Sequence, residues 1–334
     1  MIFKKSIKSE SIIMWNLFEL ITVPMGYIID LIYKLVENYG LSIIIFTVVI
    51  KLCLLPLNIK SQKAMKKQQK IQPILTELQK KYANDQQKLQ QEMMKLYKDN
   101  DVSMMGGCLP MLIQFPILIG LYRVIQAPIK YLLHVNFTDA GVSDKITKIT
   151  TLMVEKFPGA MGSYANYSAE QLFKNSQIQL ATWSEKVLDA AEAWSINFNF
   201  LGLNLAEIPS KSISAIMQGD FTHVGTIALI IIPALAIFTT WISMKQTQKM
   251  SGQNQQNAEN QAVQMSKSMN MLMPIMTGFF TFSLPSGMGI YWIASNIIQM
   301  VQQWILNKYF ENKEDDFVVK VRENRKNSKK HRRG

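Results

Sequence analysis

His134, His223 and His331, with Cys53 and Cys108, are the side chains of this chain best suited to hold a metal or act as nucleophiles, and their spacing serves neither role. No two of the histidines stand at metal-ligand spacing, and the two cysteines lie in apolar runs without a local partner. A disulfide framework is therefore not expected. The sequence holds no phosphate-binding glycine loop, dinucleotide fingerprint, nucleophile elbow or HExxH. Ser286–Gly289, "SGMG", is a tight turn between two apolar segments, not a strand-to-helix loop. The chain is not read as an enzyme, and no cofactor, metal or small-molecule substrate is expected.

What remains is the chemistry of polar groups in apolar surroundings. Lys51 stands in the middle of "IFTVVIKLCLLPL", Ile45–Leu57. An ammonium at the centre of a membrane helix costs about 2.5–3.5 kcal/mol on insertion scales. Gln114 lies in a second apolar run, and Tyr291, Trp292, Ser295, Asn296 and Gln299 lie in the last one, with Gln302 and Gln303 near its inner end. Trp292, Ser295, Asn296 and Gln299 keep i, i+3, i+4, i+7 spacing and so share one helix face. One lysine among amides and hydroxyls, with no carboxylate in the apolar runs, points to a hydrated pocket rather than a dry ion pair. Two plainer readings compete: the amides act as interhelical glue, or Lys51 snorkels to the interface. Apolar flanks on both sides make escape awkward for Lys51, whereas Arg123, near the end of its run, suits snorkelling.

The elements that must position these groups are long and apolar. The chain has 334 residues, 48% of them hydrophobic, and a formal net charge of +12. Its mean hydropathy of +0.05 averages apolar runs with Lys-, Gln- and Asn-rich connections. The expected architecture is an all-α polytopic membrane protein with a five-transmembrane-helix core, spans at 41–58, 104–126, 223–244, 269–285 and 286–307. The fourth is short and would thin the bilayer or need shielding. Residues 60–102 carry ten lysines and the tail from Lys308 ten Lys and Arg, while the link between the last two spans carries none. The positive-inside rule then puts 59–103, 245–268 and the basic tail 308–334 in the cytoplasm, with the amino terminus outside. The long loop 127–222, also outside, holds an extra helical insert of unassigned role at about 134–193.

Residues 1–40 form an amino-terminal segment containing an outer interfacial amphipathic helix. Ile28, Ile29, Ile32, Leu35 and Val36 recur at helical spacing with Asp30, Lys34 and Glu37 elsewhere on the wheel, on a polar face, while Glu19, Pro24 and Asp30 argue against a sixth span. An uncleaved signal-anchor led by Lys4, Lys5 and Lys8 is the rival reading, and no cleavage site follows a clean apolar core. Residues 59–103 read as a helical hairpin turning near Ala83–Asp85. Ile71, Ile74, Leu75, Leu78 and Tyr82 face Leu89, Met93, Leu96 and Tyr97, and Pro73 predicts a kink. Lys63, Lys66, Lys67 and Lys70 share one face of it. In the insert, Ser168–Trp194 predicts one or two helices with Leu172, Leu180, Trp183, Val187 and Leu188 as apolar positions. The final "RENRKNSKKHRRG" cannot bury enough apolar surface to fold alone.

Three stretches are long and specific: "GLSIIIFTVVIKLCLLPLNIKSQKAMKKQQKIQPILTELQKKY", "GGCLPMLIQFPILIGLYR" and "MNMLMPIMTGFFTFSLPSGMGIYWIASNIIQMVQQ". Together they resemble the YidC/Oxa family of membrane protein insertases, over Gly40–Gln126 and Ile196–Leu306. The resemblance implies a hydrophilic groove open to cytoplasm and lipid and closed on the outer side. A positive residue of the first core helix attracts polar client segments, and a cytoplasmic hairpin helps receive them. By motif match that residue is Lys51, where the family usually has arginine; lysine keeps the charge and loses the planar fork. The client path implied by match includes Gln114, Phe115 and Pro116 of "LIQFPI", Phe280 of "FFTFSLPSG", and Tyr291 and Trp292 of "GIYWIASN".

Met276, with Met269, Met271 and Met273, would add an adaptable apolar slide, although filling core gaps is the plainer use of any one methionine. Implied partners are nascent membrane-protein clients and lipid, with the ribosome and a Sec translocon beside them; the basic hairpin and tail suit ribosomal RNA or anionic lipid equally. The implied setting is a bacterial plasma membrane. The chain departs from the pattern in its long outer insert, in lacking a large domain before the core, and in lacking a lipobox cysteine. A membrane chaperone without autonomous insertase activity is the alternative hardest to separate. A transporter or channel would show internal repeats and more intramembrane ionisable residues, and an intramembrane protease a Ser–His or Asp pair; neither pattern is found.

Overall fold

Apolar runs joined by polar links give helices almost throughout. The computed structural model describes residues 2–102, 109–217, 228–251 and 261–311. Cys108, His223, the basic tail from residue 312 and residues 252–260 of the fourth-span link lie outside that set. In chain order the helices are α1 (Ile2–Val36), α2 (Tyr39–Cys53), α3 (Leu55–Lys81), α4 (Gln86–Asp99), α5 (Leu109–Gln126), α6 (Pro128–Tyr131), α7 (Val142–Lys156), α8 (Ala169–Asn175) and α9 (Gln177–Val187). A two-stranded hairpin follows, β1 (Asn199–Phe200) against β2 (Leu203–Asn204). Then come α10 (Pro209–Met217), α11 (Ile231–Ser251), α12 (Gln261–Ser283) and α13 (Ser286–Glu311), so the turn falls at Leu284–Pro285 and Ser286–Gly289, expected as a turn, opens α13 instead. The all-α class holds, with that one short hairpin as the sheet content of the described residues.

By length and composition, Ala228–Met250 is the one described helix able to cross a membrane unaided. Residues 39–81 meet the same test only as a pair, α2 and α3, bent by 61°. The expected first span, 41–58, is therefore broken at Leu54, and Lys51 sits in the last turn of α2 just before the break. Pro56 explains the restart, since it falls in the first turn of α3, where a missing N–H costs nothing. Met271–Ser283 is apolar but shorter than a full span.

The chain divides into two units. One comprises Met1–Val49, Gln114–Ala236 and Gly278–Ala294. Here α1 runs unbroken through Pro24. Its stripe splits: Ile29 and Ile32 are buried with Thr22 and Met25, whereas Leu20, Tyr27, Leu31 and Leu35 are exposed. Asp30 also turns inward, contrary to its expected place on a polar face. It accepts hydrogen bonds at 2.8 Å from Lys34 Nζ and from His134 Nε2. A buried carboxylate is more tolerable when a cation and a second hydrogen-bonding group meet one of its oxygens, as they do at Asp30 Oδ2.

The insert is a packed helical module of α7, α8 and α9, with Ile146, Ile149, Met153, Leu172, Leu180 and Trp183 nearly inaccessible. Ser168 and Gln171 close a capping box at the start of α8. From α9 the chain runs back as a strap, Trp194–Glu207. Ser184 Oγ accepts from Trp194 N at 2.9 Å, and Glu185 accepts from Ile196 N at 2.9 Å and from Ser195 Oγ at 3.0 Å. The strap then ties down two elbows. At the first, Asn197 O accepts from Tyr39 N, Asn197 N donates to Tyr33 Oη, and Asn38 Nδ2 donates to Asn199 O. At the second, Glu207 O accepts from Ser286 N and Oγ, and Leu205 O from Gly287 N. Tyr39 donates its hydroxyl to Ile125 O at 3.2 Å.

The second unit comprises Ile50–Ile113, Ile237–Thr277 and Ser295–Gly334. In it α3 and α4 pack through Ile71, Leu75, Tyr97 and Val102, with Met93 and Leu96 beside them. Asp85 caps α4 by accepting from Lys88 N at 3.0 Å. Pro73 is accommodated inside the continuous α3.

The strap requires a glycine at position 40, because a Cβ there would lie 2.5 Å from Phe200 Cγ. Gly40→Ala should destabilise the folded protein by about 1–3 kcal/mol, the usual range for overpacking. Thermal unfolding in detergent checks this, and an unchanged midpoint would show that the strap does not hold α2 closely.

Candidate functional site

Lys51 is only 6% exposed. Among the described residues no carboxylate pairs with it; its Nζ donates to Gln299 Oε1 on α13, at a long 3.4 Å. Gln302, one turn on, donates from Nε2 to the Lys51 backbone carbonyl at 3.1 Å and accepts at Oε1 from Asn58 Nδ2 at 3.2 Å. The polar row on α13 thus grips the end of α2 and the start of α3. One weak amide contact does not replace the hydration of an ammonium.

The other edge of the same row faces α11. Asn296 Nδ2 donates to Thr240 Oγ1 at 2.8 Å and to Thr239 Oγ1 at 3.2 Å. Gln303 Nε2 donates to Thr247 Oγ1 at 2.9 Å, and Gln246 Nε2 to Met300 O at 3.0 Å. Ser295 is buried. The shared face read from the sequence is therefore divided: Gln299 reaches Lys51, while Asn296 serves as glue between α11 and α13. Thr239, Thr240, Gln246 and Thr247, and Asn58 on α3, were not singled out from sequence. Their signal was present, since Thr239, Ser243 and Gln246 form a polar stripe at helical spacing in an apolar run that matches the row on α13.

In the other unit Gln114 Nε2 donates to the hydroxyl of Tyr291, a residue 2% exposed. Trp292 stacks on Phe280, with ring centroids 6.3 Å apart and planes 9° from parallel. Phe115, beside Gln114, is half exposed, and Pro116 lies within α5. Met276, on the α12 stretch of the second unit, is exposed beside Met271, Leu272 and Ile275, whereas the side chain of Met269 is not described. On α3, Lys63 is exposed and Lys66 partly so, and Lys67 and Lys70 are each engaged by neighbouring groups. Among the described residues no group of three His, Cys, Asp or Glu could hold a metal. Cys53 is a free, exposed thiol.

Comparison with known proteins places these residues in context. A sequence model described as "60Kd inner membrane protein" matches residues 31–314. The "Membrane protein insertase YidC" of Caldanaerobacter subterraneus subsp. tengcongensis is 29% identical over 285 residues, which is 85% of this chain and 93% of that protein. A protein of the same name from Syntrophobacter fumaroxidans is 27% identical over 292 residues, 87% of this chain but 38% of that one. Another from Geobacter sp. strain M21 is 42% identical over 139 residues, 40% of this chain and 26% of that one. The chain thus spans nearly all of one relative and well under half of the other two.

The Asn296–Thr240 contact is expected to stabilise the α11–α13 packing by about 1 kcal/mol, the order measured for interhelical hydrogen bonds in membranes. A double-mutant cycle of Asn296→Ala and Thr240→Ala, followed by unfolding in detergent, measures it. Strict additivity of the two substitutions would show that the bond contributes nothing.

Proposed function

On the premise that this chain belongs to the 60Kd inner membrane protein family, we propose that it is a membrane protein insertase of the bacterial plasma membrane. It has five spans, an outer amino terminus and a cytoplasmic tail. The single observation that carries the mechanism is a nearly inaccessible ammonium with no carboxylate partner among the described residues. Lys51, with Gln299, Gln302 and Asn58, forms a hydrated recess that receives the polar segment of a client. The attraction is about 2–4 kcal/mol, the order of a charge contact in an intermediate dielectric. That is enough to offset part of the cost of polar peptide in an apolar setting and too little to trap the client.

The apolar client helix is proposed to pass by Phe115, Pro116, Phe280 and Met276; the exposure of Phe115, Phe280 and Met276 suits transient contact. The Gln114–Tyr291 pair and the Trp292 ring supply polar and aromatic contacts to the same client. The α3–α4 hairpin, with Lys63, Lys66, Lys67 and Lys70, is the cytoplasmic receiving element, facing the ribosome or anionic lipid, and a Sec translocon is a further partner. The exposed apolar face of α1 lies in the outer interface.

Full-length protein in liposomes, with one small client and no other translocase, tests the proposal. The wild type and Lys51→Arg should insert the client. Lys51→Glu should abolish insertion at unchanged abundance, and Lys51→Ala should slow it roughly 30-fold or more, the factor equivalent to about 2 kcal/mol. A normal rate for Lys51→Ala would remove the electrostatic role. Protection of the client from aggregation without insertion would establish the chaperone alternative instead.

A further inference from the structure

We propose that the cavity between α1 and α6 binds the phosphodiester headgroup of an anionic glycerophospholipid of the outer leaflet. The cavity measures about 280 Å³ and is lined by Val23, Tyr27, Lys130, Tyr131, His134 and Asn136. Its lining is rich in donors that lack acceptors. Among the described residues the hydroxyls of Tyr27 and Tyr131 and the side-chain amide of Asn136 make no hydrogen bond. Lys130 Nζ has one loose hydrogen bond, to Glu19 Oε1 at 3.3 Å with both groups partly exposed, and lies 5.2 Å from the centroid of the Tyr131 ring. Four such donors around one space call for a ligand with several acceptor oxygens and negative charge, which describes a phosphate diester.

The carboxylates nearby do not fill that need. Asp30 Oδ2 is taken by Lys34 and His134 at 2.8 Å each, and Glu19 merely competes for Lys130. His134 adopts a left-handed backbone, φ +55°, uncommon outside glycine. That conformation accompanies a ring bonded to Asp30 and stacked on Tyr27, with centroids 5.1 Å apart, so the phenol is held at the cavity. A lipid, rather than free phosphate, fits the rim: Val23 and Tyr27 belong to the exposed apolar face of α1 that continues through Leu20 and Leu31, along which an acyl chain can lie.

This site rests on the proposed placement of α1 in the outer interface, and the experiment separates the two. Full-length protein in mild detergent is titrated with phosphatidylglycerol, phosphatidylcholine or inorganic phosphate, and bound molecules are counted by native mass spectrometry. The wild type should retain one phosphatidylglycerol in preference to phosphatidylcholine. Lys130→Gln should weaken retention about tenfold, Tyr27→Phe should weaken it several-fold while keeping the ring stack, and Glu19→Gln should strengthen it by freeing Lys130. Equal retention across these variants, or phosphate bound where lipid is not, overturns the proposal. In parallel, an environment-sensitive dye at Leu35→Cys, with Cys53 and Cys108 replaced by serine, reports whether α1 meets lipid in liposomes. A wet dye sinks the placement of α1, whereas a dry dye with no difference between variants sinks the headgroup site alone.

Discussion

An ammonium withdrawn from bulk water and left without a carboxylate is the constraint around which the second unit is built. Among the described residues Lys51 has one distant amide oxygen, that of Gln299, as its side-chain partner, and Gln302, one turn along the same helix, holds its backbone carbonyl. A hydrophobic residue at this position would pack more cheaply, because burying even a paired charge is at best neutral for stability. The lysine is therefore not explained by what it stabilises, and the proposed role supplies what it attracts. The break between α2 and α3 immediately after it, set by Pro56, lets polar α3 leave the apolar run where the charge sits.

The neighbouring polar contacts keep the site defined without neutralising it. Asn296 and Gln303 fasten α13 to α11 through hydroxyls, which leaves Gln299 and Gln302 to face Lys51. In the other unit the strap Trp194–Glu207 plays a comparable structural role. It is anchored on α9 by Ser184 and Glu185, and it fixes both the α1–α2 elbow and the start of α13 through backbone hydrogen bonds. The inserted module therefore has a physical connection to the elements that carry Tyr39 and Tyr291, which gives a long loop a reason to be folded.

The fold was legible where periodicity and charge acted together. The apolar stripes of residues 71–82 and 89–97 identify two helices, and the helical class follows from runs too long and apolar for strands. The helix α7 was harder to see, although Ile146, Ile149 and Met153 carry its period, because Lys, Thr and Ser dominate its composition. Asp30 misled for a different reason. Polarity predicts exposure only when no partner is available, and His134, more than a hundred residues away, provides one. Lys51, Gln114 and the α13 row were visible as polar groups in apolar runs. Which of them meet was not, because that depends on helix rotation: one row at helical spacing spans nearly a third of the α13 circumference and can serve two neighbours at once.

The measurement that bears most directly on the account is the accessibility of position 299 to water. In a chain with Cys53 and Cys108 replaced by serine, Gln299→Cys in native vesicles should react with a membrane-impermeant thiol reagent from the side of the basic loops, and a stalled client should protect it. No reaction under either condition, with the surroundings of Lys51 behaving as hydrocarbon, would contradict the claim that this charge is kept wet to receive polar peptide.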